Sequence, residues 1–316
     1  MPINAASFKK LSTHIGIFPS YTNIGVIEDG EFLYVIDSGV NPQDGEDIVN
    51  SLRELFPSSS IKAILNTHSH SDHCGGNAII QRLTGAKVYA PFNESRLMEF
   101  PESMFAMYWG ARPFEDLRKI HYMQMEATFV DKHLRANDTL DFTSASVSCI
   151  PLPGHYFDQT GFLVTDKADG KKSFFLGDGL FGMSMIKKYW IPFMVDPNEF
   201  RKSVMRIDET QADFFIPSHG EVTEGDKIHA LSEINIMITL ETEILIIKTL
   251  QKASLTHEEL LEAVAGFAGI DLKLGQYVLI GSTIKSYLSS LLDKKIVSYS
   301  IEDNRMLWSA VNSPAK

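Results

Sequence analysis

"NTHSHSDHCGG", residues 66–76, sets three histidines and an aspartate within positions 68 to 73 of a 316-residue chain that has only ten histidines. It follows "IKAIL", a short apolar strand at 61–65, so the cluster lies in a loop at a strand end. In extended backbone, side chains two apart point the same way, which lets His68 and His70 grip one ion from one side. Asp72 and His73 follow at once and can face a second ion. Imidazole nitrogens must converge to roughly 2.0–2.1 Å from a metal, and neighbours in a short loop do so at little extra cost in chain entropy. A single histidine here would be read as a hydrogen-bonding turn residue. Three with an aspartate argue for metal.

The surrounding chain alternates strands and helices. "NIGVIEDGEFLYVIDSG" reads as a hairpin turning at Asp29 and Gly30, and "GFLVTDKADGKKSFFLGDG" repeats the pattern with a turn at Asp169 and Gly170. "GEDIVNSLRELF" has helical spacing, and "GNAIIQRLTGAKVYA" reads as helix, glycine stop, strand. An α/β layered fold is expected, with no internal repeat or low-complexity tract.

The texture changes near residue 231. "LSEINIMITLETEILIIKTLQ" reads as a long helix, Thr256 and Glu259 have capping-box spacing before a second, and "GQYVLIGSTIKSYLSSLLDKKI" predicts a third. "IVSYSIEDNRMLWSA" then reads as two strands about a polar turn. Three helices followed by a hairpin is the order of a small winged-helix module, so residues 1–230 and 231–316 are expected to form two domains. Winged-helix modules often bind DNA, but this segment carries eight Lys or Arg against ten Asp or Glu. Phosphate binding needs a cationic excess, so packing, or dimerisation as a homodimer, is the expected role.

The composition, 44% hydrophobic and 22% charged, is that of a globular protein with a substantial core. A formal charge of −11 disfavours nucleic acid and anionic membranes as partners and leaves a small molecule as the expected substrate. No signal peptide or membrane span is expected, because the most apolar segment is interrupted by Glu241 and Glu243. With only Cys74 and Cys149, a reducing cytoplasmic setting is the simplest reading.

Three further candidates follow the cluster at apparent strand ends: His155 in "PLPGHYFDQTG", Asp178 in "FFLGDG" and His219 in "FFIPSHG". With these, "THSHSDH" resembles the His-x-His-x-Asp-His signature of the metallo-β-lactamase-fold hydrolases, over roughly residues 15 to 225. The C-terminal tail resembles that of the subgroup related to β-lactamase-like protein 2, some members of which cut RNA. The resemblance implies a four-layer αββα sandwich with a small C-terminal winged-helix-like domain, and a site at one edge between the sheets. It assigns His68, His70 and His155 to one metal, Asp72, His73 and His219 to a second, and Asp178 to a bridge between them. Asp37 in "YVIDSG" matches the family's acidic residue near the site; it either orients a ligand or simply ends a strand. His14, His121, His133, His229 and His257 sit in no such setting.

The family's chemistry is then expected here. Two divalent ions, with zinc first and iron or manganese fitting the same donors, would lower the pKa of a shared water from about 15.7 toward about 7. The resulting metal-bridging hydroxide would attack a small ester, thioester or lactone, with Asp72 orienting the water or moving its proton. Other activities within reach of the motif are a metal-dependent ribonuclease or phosphodiesterase and a mononuclear iron persulfide oxygenase. A nucleic-acid-binding regulator with a sensory or vestigial metal site is a different class again. Cys74 is read as packing beside the site, and the bulky Tyr156 and Phe157 as narrowing the pocket. "LMEFPESMFAMYWGARPF", "HYMQMEA" and "FGMSMIKKYWIPFMVDP" concentrate Met and aromatic residues. The first two are either a lid or groove, or else core or interface, and the third should come near the site mouth. If all of them line it, the substrate carries an apolar portion.

Overall fold

The computed structural model of the chain describes residues 2–120 and 123–311. The N-terminal half opens with β1 (Lys9–Lys10), β2 (Ile15–Phe18), β3 (Ile24–Asp29) and β4 (Phe32–Ile36), each antiparallel to the one before. Gly30, at φ 64°, makes the left-handed turn between β3 and β4 that the sequence predicts. Helix α1 (Pro42–Leu55) starts where Asn41 accepts the Asp44 N–H and Pro42 sits in the first turn. It carries the chain to β5 (Ser60–Leu65), parallel to β4. After α2 (Ser71–Cys74) and α3 (Asn77–Thr84), β6 (Lys87–Pro91) adds a second parallel neighbour. Three helices, α4 (Phe92–Glu99), α5 (Glu102–Trp109) and α6 (Glu115–Arg118), precede β7 (Lys132–Leu134), which closes the seven-stranded sheet.

The second sheet has six strands: β8 (Thr139–Asp141), β9 (Ala145–Pro151), β10 (Thr160–Asp166), β11 (Lys172–Gly177), then, beyond α7 (Met183–Tyr189) and α8 (Pro197–Glu209), β12 (Phe214–Pro217) and β13 (Thr223–Glu224). β8 to β11 form a meander, and β12 joins parallel to β11. The two inner faces meet through Ile15, Ile36, Leu65, Val147, Phe162 and Phe175, all buried. Truncating a phenylalanine such as Phe162 there would cost about 3–5 kcal/mol. α1 and α3 cover the outer face of the first sheet through Ile48, Leu52 and Ile80, and α8 covers the second through Phe200, Val204 and Ile207. This is the αββα sandwich.

Beyond it lie α9 (Ile228–Leu250), α10 (His257–Ala268), α11 (Leu274–Asp293) and the antiparallel pair β14 (Val297–Glu302) and β15 (Arg305–Ala310). Thr256 caps α10 with Glu259 in the expected capping box. The N-terminal half of α9 packs on the second sheet through Ile228, Leu231 and Ile238, whereas its C-terminal half enters the helical core through Ile246 and Leu250. One helix thus joins the sandwich to the C-terminal region, running through residue 231. No helix among the described residues is long and apolar enough to cross a membrane.

Candidate metal centre

The strands deliver the candidate residues to one edge. β4, β5, β9, β11 and β12 all end there, followed in turn by Asp37, the 66–73 loop, His155, Asp178 and His219. Thr160 donates its backbone N–H to Thr67 O at 2.9 Å and ties the two sheets together beside the cluster. Gly177 makes room at this seam, at φ 56°; a Cβ on it would lie 2.9 Å from Thr67 Cβ.

His68 and His70 occupy the expected extended segment, but Asp72 and His73 lie on the helical turn α2, where His73 and Cys74 donate their N–H groups to His70 O. The turn sends His73 inward, fully buried, and leaves Asp72 facing the cavity. The glycines that follow are required by close packing. A Cβ on Gly75 would sit 2.3 Å from Val40 O, and one on Gly76 2.2 Å from Ser38 O. Cys74 points away, into the core outside the first sheet, with its thiol donating to His68 O. Burial pushes that thiol well above its usual range, so it is held neutral.

Each imidazole is aimed by its other nitrogen. The Nδ1–H groups of His73, His155 and His219 donate to Asp37 Oδ2 at 2.9 Å, Phe193 O at 2.8 Å and Tyr21 O at 2.7 Å. Thr67 Oγ1 donates to Asp37 Oδ2 at 2.9 Å and so accepts from His68 Nδ1 at 3.1 Å. These bonds turn Nε2 of all four rings inward, toward one another and toward Asp72 and Asp178. His70 completes the set with Nδ1, which lies 2.9 Å from both His68 Nε2 and His155 Nε2.

This arrangement fits divalent cations. His70 Nδ1 can give a proton to only one of two acceptors, so a metal-free cluster keeps facing lone pairs inside the protein. His73 Nε2 and Asp178 Oδ1 are buried without a hydrogen-bond partner, 3.6 Å apart. Three sets of donors converge closely enough to share an ion: His68, His70 and His155; His68, His73 and Asp178; and Asp72, His73 and His219. Asp178 stands between them, with Oδ2 3.4 Å from His155 Nε2 and 3.6 Å from His219 Nε2. Burial and the neighbouring rings hold His68 well below the ordinary imidazole range, and burial does the same to His70 and lowers His155. Burial opposes ionisation of Asp72 and Asp178 too, but His73 and His219 outweigh it and hold both carboxylates below their usual range. Those carboxylates in turn outweigh burial at His73 and His219 and push both rings above the ordinary imidazole range, so an ion binding there displaces protons, whereas His68, His70 and His155 are already neutral.

A model described as the metallo-beta-lactamase superfamily matches residues 17–246 of the chain. The chain belongs to this superfamily. The chain is 24% identical over 224 residues to an atrochrysone carboxyl ACP thioesterase from Passalora fulva, covering 71% of this chain and 56% of that protein. It is 25% identical over 124 residues to a hydroxyacylglutathione hydrolase from Hyphomonas neptunium, covering 39% and 36%. The chain therefore spans about half the length, or less, of these curated relatives. A solved beta-lactamase domain protein from Burkholderia ambifaria superposes with a TM-score of 0.72 at 13% identity, covering 97% of this chain and 95% of that one. A metallo-beta-lactamase family protein from Thermus thermophilus gives 0.71 at 17% identity, covering 94% of each. The superfamily fold of this chain thus has solved counterparts that reach into its C-terminal region.

A cavity of about 830 Å³ opens over Asp72, His155, Asp178 and His219. Met104, Tyr108 and Met123 wall it from the stretch between β6 and β7, and Met185, Ile191 and Phe193 from the segment after Asp178, so the Met-rich stretches do reach the site mouth. The stretch between β6 and β7 also packs as core, since Phe105 and Leu117 bury against Val278 of α11. His121 and Tyr122, at the start of "HYMQMEA", lie outside the described residues. Tyr156 and Phe157 do not narrow the pocket. Tyr156 is fully buried with its ring 4.3 Å from that of His70, and Phe157 is half exposed; neither lines the cavity. The His-Tyr-Phe turn presses Tyr156 behind the site, and Tyr108 and Phe193 take the lining positions.

Glu94 and three residues at the start of α11 carry no signal in the sequence that marks them for the site. Glu94 of α4 is fully buried and accepts from the Ser69 hydroxyl at 2.6 Å and from the Asp158 N–H at 2.8 Å, clasping the first motif to the His155 loop. Burial pushes its carboxyl up to about 7. Lys273, Gln276 and Leu279, at the start of α11, also line the cavity. Among the remaining histidines, His14 bonds Asp166, His229 bonds Asp208, His257 reaches Gly281 O, and His133 is exposed.

Proposed function

We propose that this chain is a metal-dependent hydrolase of a small ester, thioester or lactone with an apolar portion, and that a thioester is its preferred class. The observation that carries the reading is Asp178 standing between two sets of inward nitrogens at the floor of a cavity walled by Met and aromatic side chains. Relatives named as a thioesterase and as a hydroxyacylglutathione hydrolase support it. His68, His70 and His155 would hold one divalent ion and Asp72, His73 and His219 a second, with Asp178 shared and zinc the metal best suited to the donors. Such ions, when bound, make water nucleophilic at neutral pH and polarise a carbonyl.

The chain's own residues do the remainder. Asp72 faces the cavity with its carboxylate 3.1 Å from His219 Nε2 and stays ionised, placed to orient a water and to carry its proton toward the leaving group. Met104, Met123 and Met185 exclude water from the acyl portion and hold it over the centre. The free, buried Cys74 and Cys149 suit a reducing cytoplasm. We keep the division into a catalytic part, 1–230, and a winged-helix-like part, 231–316, and read the latter as a packing module, because α11 supplies a cavity wall. The test is metal analysis with hydrolysis of thioester, lactone and phosphodiester panels by the wild type and His68→Ala. Purified protein without metal, or His68→Ala with undiminished thioester and lactone hydrolysis, overturns the proposal.

A further inference from the structure

The peptide between Phe193 and Met194 is bonded on both sides. Its carbonyl oxygen accepts His155 Nδ1–H at 2.8 Å, and its N–H donates to Thr283 Oγ1 of α11 at 3.2 Å. Because a peptide is planar, an acceptor that fixes the N–H also fixes where the carbonyl points. Thr283 is fully buried, and its hydroxyl donates to Leu279 O one turn back along the helix at 3.0 Å, so toward Met194 its oxygen can only accept. The donors therefore run in one direction, from His155 through a peptide and a hydroxyl to the backbone of α11. Each bond polarises the next, which leaves more electron density on His155 Nε2, the atom turned toward Asp178. Met194 is itself fully buried, in the apolar cluster that includes Leu180 and Phe200, where bulk water does not take the place of Thr283.

This support differs from that of the neighbouring rings. His73 is aimed by Asp37 and His219 by the Tyr21 carbonyl, both within the sandwich. Among these three, only His155 is aimed through a residue of the C-terminal helices. Two turns further along α11, Ser290 Oγ accepts Asn198 Nδ2–H at 2.6 Å. That bond ties the same helix to the start of α8 and leaves the peptide behind His155 untouched.

We propose that Thr283 is a positioning residue of the site: from α11 it fixes the peptide between Phe193 and Met194, and through it the direction of His155 Nε2. Its consequence for a bound ion rests on the proposed metal-dependent reading, in which His155 is a ligand. The test uses the full chain as wild type, Thr283→Val, Thr283→Ser and Ser290→Ala. In metal-free protein with nitrogen-labelled histidine, the Nδ1 proton of His155 is expected as a downfield resonance in the wild type and Thr283→Ser, and shifted or lost to exchange in Thr283→Val. Cobalt(II), titrated against a chelator, is expected to bind Thr283→Val about 10- to 100-fold more weakly than the wild type, with an altered visible spectrum, and Thr283→Ser should restore both. Ser290→Ala should lower the urea midpoint and leave the resonance and the cobalt affinity unchanged. Should Thr283→Val fail to fold, the smaller Thr283→Ala takes its place. An unchanged His155 resonance in the folded variant, or unchanged cobalt affinity where the wild type binds the ion, overturns the proposal. An equal loss of cobalt affinity in Ser290→Ala also overturns it, because α11 would then serve stability alone. A wild type that binds no cobalt sinks the metal-dependent reading instead, and the His155 resonance then decides the positioning by itself.

Discussion

Asp37 Oδ2 lies 2.9 Å from His73 Nδ1 and accepts the Thr67 hydroxyl at the same distance, so one carboxylate aims a ring on α2 and braces the loop that carries His68. Asp37 also takes φ 59°, which Asp and Asn tolerate far better than other side chains. Asp37→Asn therefore keeps the backbone and removes only the charge that orients His73. Divalent-metal affinity is expected to fall about 10- to 100-fold, a common consequence of losing such support, in a competition titration against a chromophoric chelator. Unchanged affinity would return Asp37 to the role of a residue that merely ends β4.

Glu94 receives the Ser69 hydroxyl and the Ser69 and Asp158 N–H groups, all in the interior. Glu94→Ala would orphan those donors at about 1–3 kcal/mol each where water cannot reach them. Urea unfolding should show a loss of at least that size, accompanied by weaker metal retention, because the 68–70 and 155–158 segments are no longer clasped. A stable variant that keeps its metal would refute the clasp.

Chelation is expected to abolish hydrolysis and to lower the melting temperature, with zinc restoring both. Facing imidazole lone pairs favour the ion-bound fold, and an ion at about 100 times its Kd stabilises by about 2.7 kcal/mol per site. Thermal unfolding with and without chelator measures this, and a melting point indifferent to chelation contradicts it.

The centre was legible where its donors are close in sequence or repeat one setting. His68, His70 and His73 share a short segment, and Asp178 and His219 each follow an apolar run that could only be a strand. Tyr156 was misread because adjacency says nothing about which side of a turn faces inward: its ring packs behind His70, whereas Tyr108, distant in sequence, lines the cavity. Glu94 looked like one more acidic residue at a helix start, since its partners Ser69 and Asp158 become neighbours only after the sheets pair. The turn α2 is too short for helical periodicity to register. Helix α8, by contrast, has start signals plain in the sequence, with Asp196 as its cap and Pro197 in its first turn.

The Ser12 hydroxyl and the His14 N–H donate to Asp166 Oδ2 at 2.7 and 2.6 Å, and Ala168 N–H donates to Oδ1 at 3.0 Å. Although burial opposes ionisation, His14 and these donors hold the carboxyl down at about 2. A depressed folded-state pKa gives stability that is present above about 4 and is lost as pH falls through about 2. Asp166→Asn should therefore cost about 2 kcal/mol near neutral pH, by the linkage between pKa and stability, and progressively less in acid. Denaturant unfolding across that range tests the sign; a gap that widens in acid would contradict it.

Leu279 of α11 lines the cavity, packs in the same cluster as Met123, and is not among the residues that converge on the centre. Leu279→Trp adds bulk where the far end of a long acyl group would lie and leaves the floor unchanged. A one-methylene misfit in an apolar pocket is worth about 1–3 kcal/mol, or about 10- to 200-fold in kcat/KM. Long-chain thioesters should lose kcat/KM within that range, mainly through KM, while acetyl-sized substrates keep theirs and metal content does not change. Equal losses for short and long substrates would mean that Trp disturbs the centre itself. Unchanged values for every chain length would mean that the acyl group leaves by another wall, and the Met-lined side against α5 would be the next to fill.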